Sequence, residues 1–419
     1  MRKTVVINYH YMQVGGIENY ISQFVNYAID NEYRVIWLCD KHASISPIYA
    51  QQFESKKIER CKYSDHGFHW FSHEKVLFDK DEVVVILSFS FFDQARALEL
   101  KRRNRHLKIT AIYAIPHFTG ELIFPEQALS GYFRAKAKKC VGRIYEEWIK
   151  EGLLTFFSNK HIQEVKTNYG IEHAVCGDQG LPRLKAKPLV SDEEYMSRYN
   201  SSKFRIVTAT RFEFPHKGYI LGLVKEFSSL KEKYPNLELI IIGEGAGKEE
   251  LVGQIQKLPI SARNAVSLKG VVSFDEMLAI FRCASLNIGV AGCAVAGQRV
   301  GLITLPARNY TYNCEVYGFF PESIGLTTET RPGYPVGPYI EQAINLTCEQ
   351  YVALSRKTYD SYVEKPVAKD YLFNISGIDQ NYMISKGTLA FIKLLFFLQK
   401  SIYLRNKFQQ FMKRIFGRK

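Results

Sequence analysis

TVVINYHYMQVGGIENYISQFVNYAIDNEYRVIWLC, residues 4–39, reads as strand, turn, helix and strand in succession. TVVINYH has a buried-strand pattern, Gly15 and Gly16 supply a turn, IENYISQFVNYAIDN is helix-like, and RVIWLC is a second strand. That order is a β-α-β unit. Further strand patterns at VVVILSF (83–89), KITAIYAI (108–115) and LLTFFSN (153–159), with helical stretches between them, extend it to one parallel α/β layer system ending near Leu184. LKAKPLVSDEEYMSRYNSSK (184–203) is polar, contains Pro188 and lacks periodicity, which predicts a linker. A second alternation follows, with strands at FRIVTAT (204–210), LELIIIG (237–243), AVSLKG (265–270) and LNIGVA (286–291), and helices at Tyr219–Tyr234, Lys248–Leu258 and Phe274–Ala284. The expected fold is α/β with two Rossmann-like domains facing one another across a cleft at the carboxyl ends of both sheets, where doubly wound folds bind ligands.

A length of 419 residues is ample for two cores. The start MRKTVVINYHYM has no apolar leader run, so a cytoplasmic location is expected. Eight cysteines are scattered singly with no C-x-x-C pair, which predicts reduced thiols and no zinc knuckle. A formal charge of +14 calls for an acidic partner. Nine of the Lys and Arg residues, and no Asp or Glu, lie from Ser385 onward. There Leu389, Ile392, Leu395, Phe396, Leu404, Phe408, Phe411 and Ile415 recur at helical spacing, in a run too short and too broken by Lys393 and Lys400 to span a bilayer. Residues 386–419 are therefore expected to be a basic amphipathic tail lying on an anionic membrane surface; the alternative is a helix packed on the protein with a solvated basic face. Nucleic acid is discounted, because no recognition motif accompanies the charge.

Candidate chemistry lies after the strands. Arg211 follows RIVTAT, and Lys217 comes six residues later just before a helix. Two cations and a helix N-terminus are the components of a diphosphate site. IIIGEGAGKEEL (240–251) carries Gly243, Gly245 and Gly247, which let backbone approach a ligand. GVAGCAVAGQRVGLITLP (289–306) has the glycine spacing of a Walker loop, but Gln298 and Arg299 stand where Lys and Ser/Thr belong, so it is not one. Asp79 and Asp81 form D-x-D but precede a strand, and His66, His69 and His73 read as a surface loop, so no metal site is expected. KRRNRHLK (101–108) and GYFRAKAKKCVGR (131–143) read as solvated basic faces that would extend a membrane-binding surface if they share a side with the tail.

GGIENY (15–20), IPHFTGE (115–121), TRFEFPHKG (210–218), YPNLELIIIGEG (234–245) and LKGVVSFDEMLAIFRCASLNIGV (268–290) together resemble the retaining GT-B glycosyltransferases of family 4. The resemblance covers roughly residues 4–350. It implies a metal-independent hexosyltransferase without a cofactor, taking a nucleotide-diphosphate sugar in the domain of residues 200–350 and an acceptor in that of residues 1–185, with 351–385 as helices returning toward the first domain. Arg211 and Lys217 would hold and stabilise the leaving diphosphate, Gly16 would bring the first helix N-terminus to the same phosphates, and His117 would lie near the transferred sugar. Gly243, Gly245, Val271, Gly289, Gly292, Cys293, Gly297 and Gln298 would line the donor. The pattern breaks where the family carries two glutamates eight positions apart: no Asp or Glu stands between Glu276 and Glu315, and Gln298 is the neutral candidate to bond a ribose hydroxyl. The expected function is transfer of a sugar to a membrane-linked glycan in cell-envelope polysaccharide synthesis, peripheral on the inner face of the membrane. The alternatives are a non-catalytic relative that binds sugar or a partner transferase and, third, a GT-B-type nucleotide-sugar epimerase, which would ordinarily need no membrane tail.

Overall fold

The structure, a computed structural model, describes residues 2–64, 72–73, 78–114, 129, 131–156, 159–171, 188–323, 326, 331–362, 373, 381–398 and 401. The chain divides into two compact units, one of Met1–Gln13, Tyr20–Leu184 and Pro366–Lys419, the other of Val14–Asn19 and Lys185–Lys365.

The first unit is built on strands β1 (Lys3–Asn8), β2 (Arg34–Asp40), β3 (Ile58–Ser64), β4 (Ser72–His73), β5 (Val83–Ser88), β6 (Lys108–Ala114) and β7 (Thr155–Phe156), in the order β4-β3-β2-β1-β5-β6-β7. All neighbours pair parallel except β3 with the short edge strand β4. Between β1 and β2 runs the helix Gly16–Asp30, whose Ile21, Phe24, Val25 and Ala28 are fully buried at i, i+3, i+4 and i+7, the spacing of one helix face. β3 went unforeseen because Glu59, Arg60 and Lys62 interrupt its apolar residues; Ile58, Cys61 and Tyr63 are the buried ones.

The helix Phe91–Arg103 is buried along residues 91–101 although it is rich in charge. It resolves this with internal pairs: Arg96 meets Asp93 at 2.7 Å, and Glu99 accepts from Arg102 and Arg103 at 2.6 and 2.8 Å. Burial raises the Asp93 carboxyl, with Arg96 opposing that shift.

The tail is corrected in part. A helix over 386–398 places Leu389, Ile392 and Leu395 in the first-unit core, so the stripe expected to face lipid is here covered by protein. Phe396 lies edge-on to Phe92 with ring centroids 5.0 Å apart, and the Arg96 guanidinium sits 5.5 Å from the Phe396 ring. Leu404, Phe408, Phe411 and Ile415 lie outside the described residues.

The second unit has strands β8 (Phe204–Ala209), β9 (Leu237–Ile242), β10 (Val266–Lys269), β11 (Leu286–Gly289) and β12 (Thr304–Pro306), all parallel, in the order β10-β9-β8-β11-β12. The stretch expected as a linker between two domains contains a helix, Asp192–Tyr199. Its buried Arg198 pairs with Glu194 and donates to the carbonyls of Val300 and Gly301, satisfying the loop between the helix Gly292–Arg299 and β12. Tyr195 is buried as well, so this segment belongs to the unit rather than leading into it.

Complete burial of a Leu or Ile side chain contributes about 1.5–3 kcal/mol. Truncation after Ser385 removes three such side chains and is expected to lower the urea midpoint of the first unit and raise binding of a hydrophobic dye. A truncated chain that unfolds like the full-length one would show that these side chains are dispensable to the core.

Candidate functional site

The winding of the second sheet reverses between β8 and β11: from β8 the strands run outward to β9 and β10 on one side and to β11 and β12 on the other. Loops leaving two such adjacent strands part in opposite directions, which leaves a crevice over their carboxyl ends. Arg211 and Lys217 come after β8, and Gly292 opens the helix after β11, so the topology brings the candidates to the two sides of this switch point.

The β8 loop is tightly specified. Phe214–Pro215 is cis, Lys217 N–H donates to Glu213 C=O at 2.7 Å, Gly218 N–H to Pro215 C=O at 3.0 Å, and the helix Tyr219–Lys233 begins. Arg211 remains half-exposed, with its nearest ion-pair contact Glu213 at 3.7 Å. Lys217 is half-buried and donates from Nζ to Asn309 Oδ1 at 3.0 Å. Burial draws its ammonium down to about 8, the Arg211 charge acts in the same direction, and Cys293 and Glu213 oppose. Among the described residues no carboxylate forms an ion pair with Lys217. A cation held without a counter-ion is poised for an incoming anion.

On the β11 side, Ala291 adopts φ 49°, ψ −118°, a conformation that L side chains rarely take, immediately before the helix Gly292–Arg299. Strain of this kind persists where the surroundings over-determine it, as at ligand-binding turns. Gly292 is exposed, and a Cβ there would meet nothing within 4 Å. The start of this eight-residue helix is therefore open to an anion.

Several glycines predicted to face the donor are needed for packing. A Cβ on Gly243, whose φ is +142°, would lie 1.9 Å from Thr210 O, and one on Gly245 would lie 2.6 Å from Phe212 O. Both let the β9 loop nest against the β8 loop that carries Arg211. Gly289 gives way to Cys293 Sγ at 2.3 Å, and Gly297 to Thr304 Oγ1 at 2.3 Å. Cys293 is buried: its thiol accepts from Ala209 N–H at 3.3 Å, tying the two sides of the switch point together, and burial pushes it up to about 12. Gln298 is 2 % exposed, and its amide donates to Ser361 Oγ at 2.8 Å. Val271 lies in the loop after β10.

In the first sheet the winding reverses between β1 and β5, and Gly16 opens the helix that comes after β1. The first turn of that helix already contains the buried carboxylate of Glu18, whose Oε2 would lie 2.3 Å from a Cβ on Gly15. His117, His66 and His69 lie outside the described residues. Asp79 forms a surface ion pair with Arg2 at 3.3 Å, which accounts for half of the D-x-D pattern. Asn309 was missed by the sequence reading; it lies beyond β12, a three-residue strand ending in Pro306.

No protein-family model matches the chain, and no curated protein sequence does. Solved structures do match. The S. aureus MnaA–UDP co-structure superposes with a TM-score of 0.51 at 14 % identity, over 87 % of this chain and 93 % of that one. WaaG, a glycosyltransferase involved in lipopolysaccharide biosynthesis, gives 0.52 at 12 % identity over 88 % and 97 %. The N-terminal domain of Candida albicans trehalose-6-phosphate phosphatase gives 0.54 at 12 % identity over 89 % and 95 %. The fold is GT-B, with two parallel-sheet α/β domains.

Gly243→Ala is expected to destabilise the protein by about 2–4 kcal/mol, because a Cβ meets backbone in a conformation closed to alanine. Gly292→Ala, with open space, is expected to melt within about 1 kcal/mol of wild type. Equal melting temperatures for the two variants would contradict the assignment of Gly243 to loop packing.

Proposed function

We propose that the protein is a glycosyltransferase that binds a nucleotide-diphosphate sugar in its second unit and transfers the sugar to a glycan acceptor. The observation that carries this reading is Lys217, a half-buried ammonium bonded to a neutral amide beside Arg211 at the switch point of a doubly wound sheet. The likeness to the MnaA–UDP co-structure and to WaaG supports it at the level of fold.

In this reading Arg211, Lys217 and the N-terminus of the helix Gly292–Arg299 neutralise the charge that grows on the departing diphosphate. These groups are in place before reaction, so little reorganisation opposes the step. The anomeric configuration is retained, the leaving phosphate accepts the acceptor's proton, and no metal takes part. His117 acts near the transferred sugar, as the family resemblance implies.

The acceptor is a membrane-linked glycan of cell-envelope polysaccharide. Among the described residues no helix is long and apolar enough to cross a membrane. The surface suited to an anionic bilayer includes the start of the helix Gly131–Lys150, where Tyr132 and Phe133 are 73 % and 71 % exposed beside exposed Arg134, Lys136, Lys138, Lys139 and Arg143. Aromatic side chains at the interface and basic residues at about 1 kcal/mol each are the components of such binding. Residues beyond 398 would extend it.

UDP is expected to raise the melting temperature, and Arg211→Ala/Lys217→Ala to weaken UDP binding at least about 100-fold, from the loss of two charge-assisted contacts. Unchanged UDP affinity in the double variant would refute the assignment. UDP binding without transfer from any nucleotide sugar, with suitable glycan acceptors supplied, would favour the non-catalytic alternative. Tyr132→Ser/Phe133→Ser should reduce sedimentation with phosphatidylglycerol vesicles and leave UDP binding intact; undiminished sedimentation would remove this helix from the membrane surface.

A further inference from the structure

Asn309 poses a chemical question, since an ammonium withdrawn from water is best satisfied by a carboxylate, and Asp is the isostere of Asn. A charged acceptor forms the stronger bond and offsets more of the desolvation. Stability alone would select Asp here.

The position of Asn309 is built rather than incidental. It is 7 % exposed, and its loop is fastened to the start of the helix Tyr219–Lys233. Tyr310 N–H donates to His216 C=O at 3.0 Å, the two rings stack at 4.7 Å, and Tyr310 holds a φ of 56°. A Cβ on Gly218 would lie 2.6 Å from Thr311 O, and one on Gly222 would lie 2.3 Å from Cys314 N, so the loop seats where two glycines one helical turn apart leave room. The charged and titratable groups around Lys217 are Arg211 and Glu213 on its own loop and the Cys293 thiol from the β11 side. Glu213 is exposed and lies 3.7 Å from Arg211 and 3.9 Å from His216. Arg308, next to Asn309, is itself paired with Glu315 at 2.8 Å.

We propose that Asn309 is a positioning residue that aims the Lys217 ammonium through a neutral carbonyl oxygen and so leaves its full charge available to the diphosphate. The inference rests on the diphosphate reading above. It gives Asn309 a role that Asp cannot fill: an Asp at this place would act as an internal anion and compete with the ligand.

The test titrates UDP, with inorganic pyrophosphate as a base-free control, into wild type, Asn309→Asp and Asn309→Ala from pH 6.5 to 9.5. Wild-type affinity should fall as pH rises through the region near 8 where Lys217 loses its proton. Asn309→Asp should weaken binding about tenfold at pH 7, the equivalent of one pKa unit. It should also move the fall to higher pH, because the carboxylate holds the proton on Lys217. Asn309→Ala should move the fall to lower pH, because the ammonium loses its acceptor. Opposite displacements distinguish aiming of a charge from mere support of the loop, which would move both variants alike or neither. Melting temperatures control for folding, and Asn309→Asp should melt no lower than wild type. Binding that is unaltered in strength and pH dependence in both variants, or displaced the same way in both, overturns the role of Asn309 while the diphosphate reading stands. Failure of wild type to bind either probe overturns both.

Discussion

A parallel sheet that winds in both directions has one place where its connections part, and the second unit depends on that place. Between β8 and β11 backbone hydrogen bonding holds the strands together while the chain leaves them on opposite sides. The loops leaving these strands thereby bring residues from distant parts of the sequence to a common opening: Arg211 and Lys217 from one side, Ala291 and Gly292 from the other, and Asn309 after the adjoining β12. The buried Cys293 thiol, accepting from Ala209 N–H, fixes how far apart the two sides stand. Its elevated ionisation keeps it neutral, so it braces the site without discharging it.

That arrangement works against stability in a definite direction. Lys217 ionises lower in the folded chain than in water, so the charged form is disfavoured by folding. The opposition to folding is fully present below about pH 8 and fades as pH rises from there into the ordinary lysine range. The strained Ala291 acts against folding at any pH. Both belong to a site organised before its ligand arrives, and the cores on which the loops rest hold it in that state. Leu239, Ile241, Leu286 and Ile288 are each fully buried beneath it.

Much of this was legible beforehand, and the failures have physical causes. The strand and helix patterns of both units were readable because their buried residues recur at periods of two and about 3.6, or form unbroken apolar runs. β3 and the helix Asp192–Tyr199 escaped because their exposed faces are dense in charge, and only a few apolar or stacked side chains, such as Tyr63 and Tyr195, mark the buried side. Arg211 and Lys217 stood out as cations next to strand ends. The glycines are instructive in another way, because a glycine announces that something approaches closely but not what. At Gly243, Gly245, Gly289 and Gly297 the neighbour is the protein itself. Gln298 shows the same limit for a polar residue: its partner, Ser361, lies 63 positions away. Asn309 could not have been found by pattern, since its meaning comes from a single long-range bond to Lys217.

The helix over 386–398 has a consequence for how the protein is made. Its Leu389, Ile392 and Leu395 complete a core whose other members begin with Val6 and Ile36. Domains generally fold as units during synthesis, the earliest first. Here the three side chains that complete the first-unit core follow all of residues 185–365, so the second unit, confined to that span apart from six early residues, can close before the first. Phe92 and Arg96 gain their contacts with the Phe396 ring only when that helix docks.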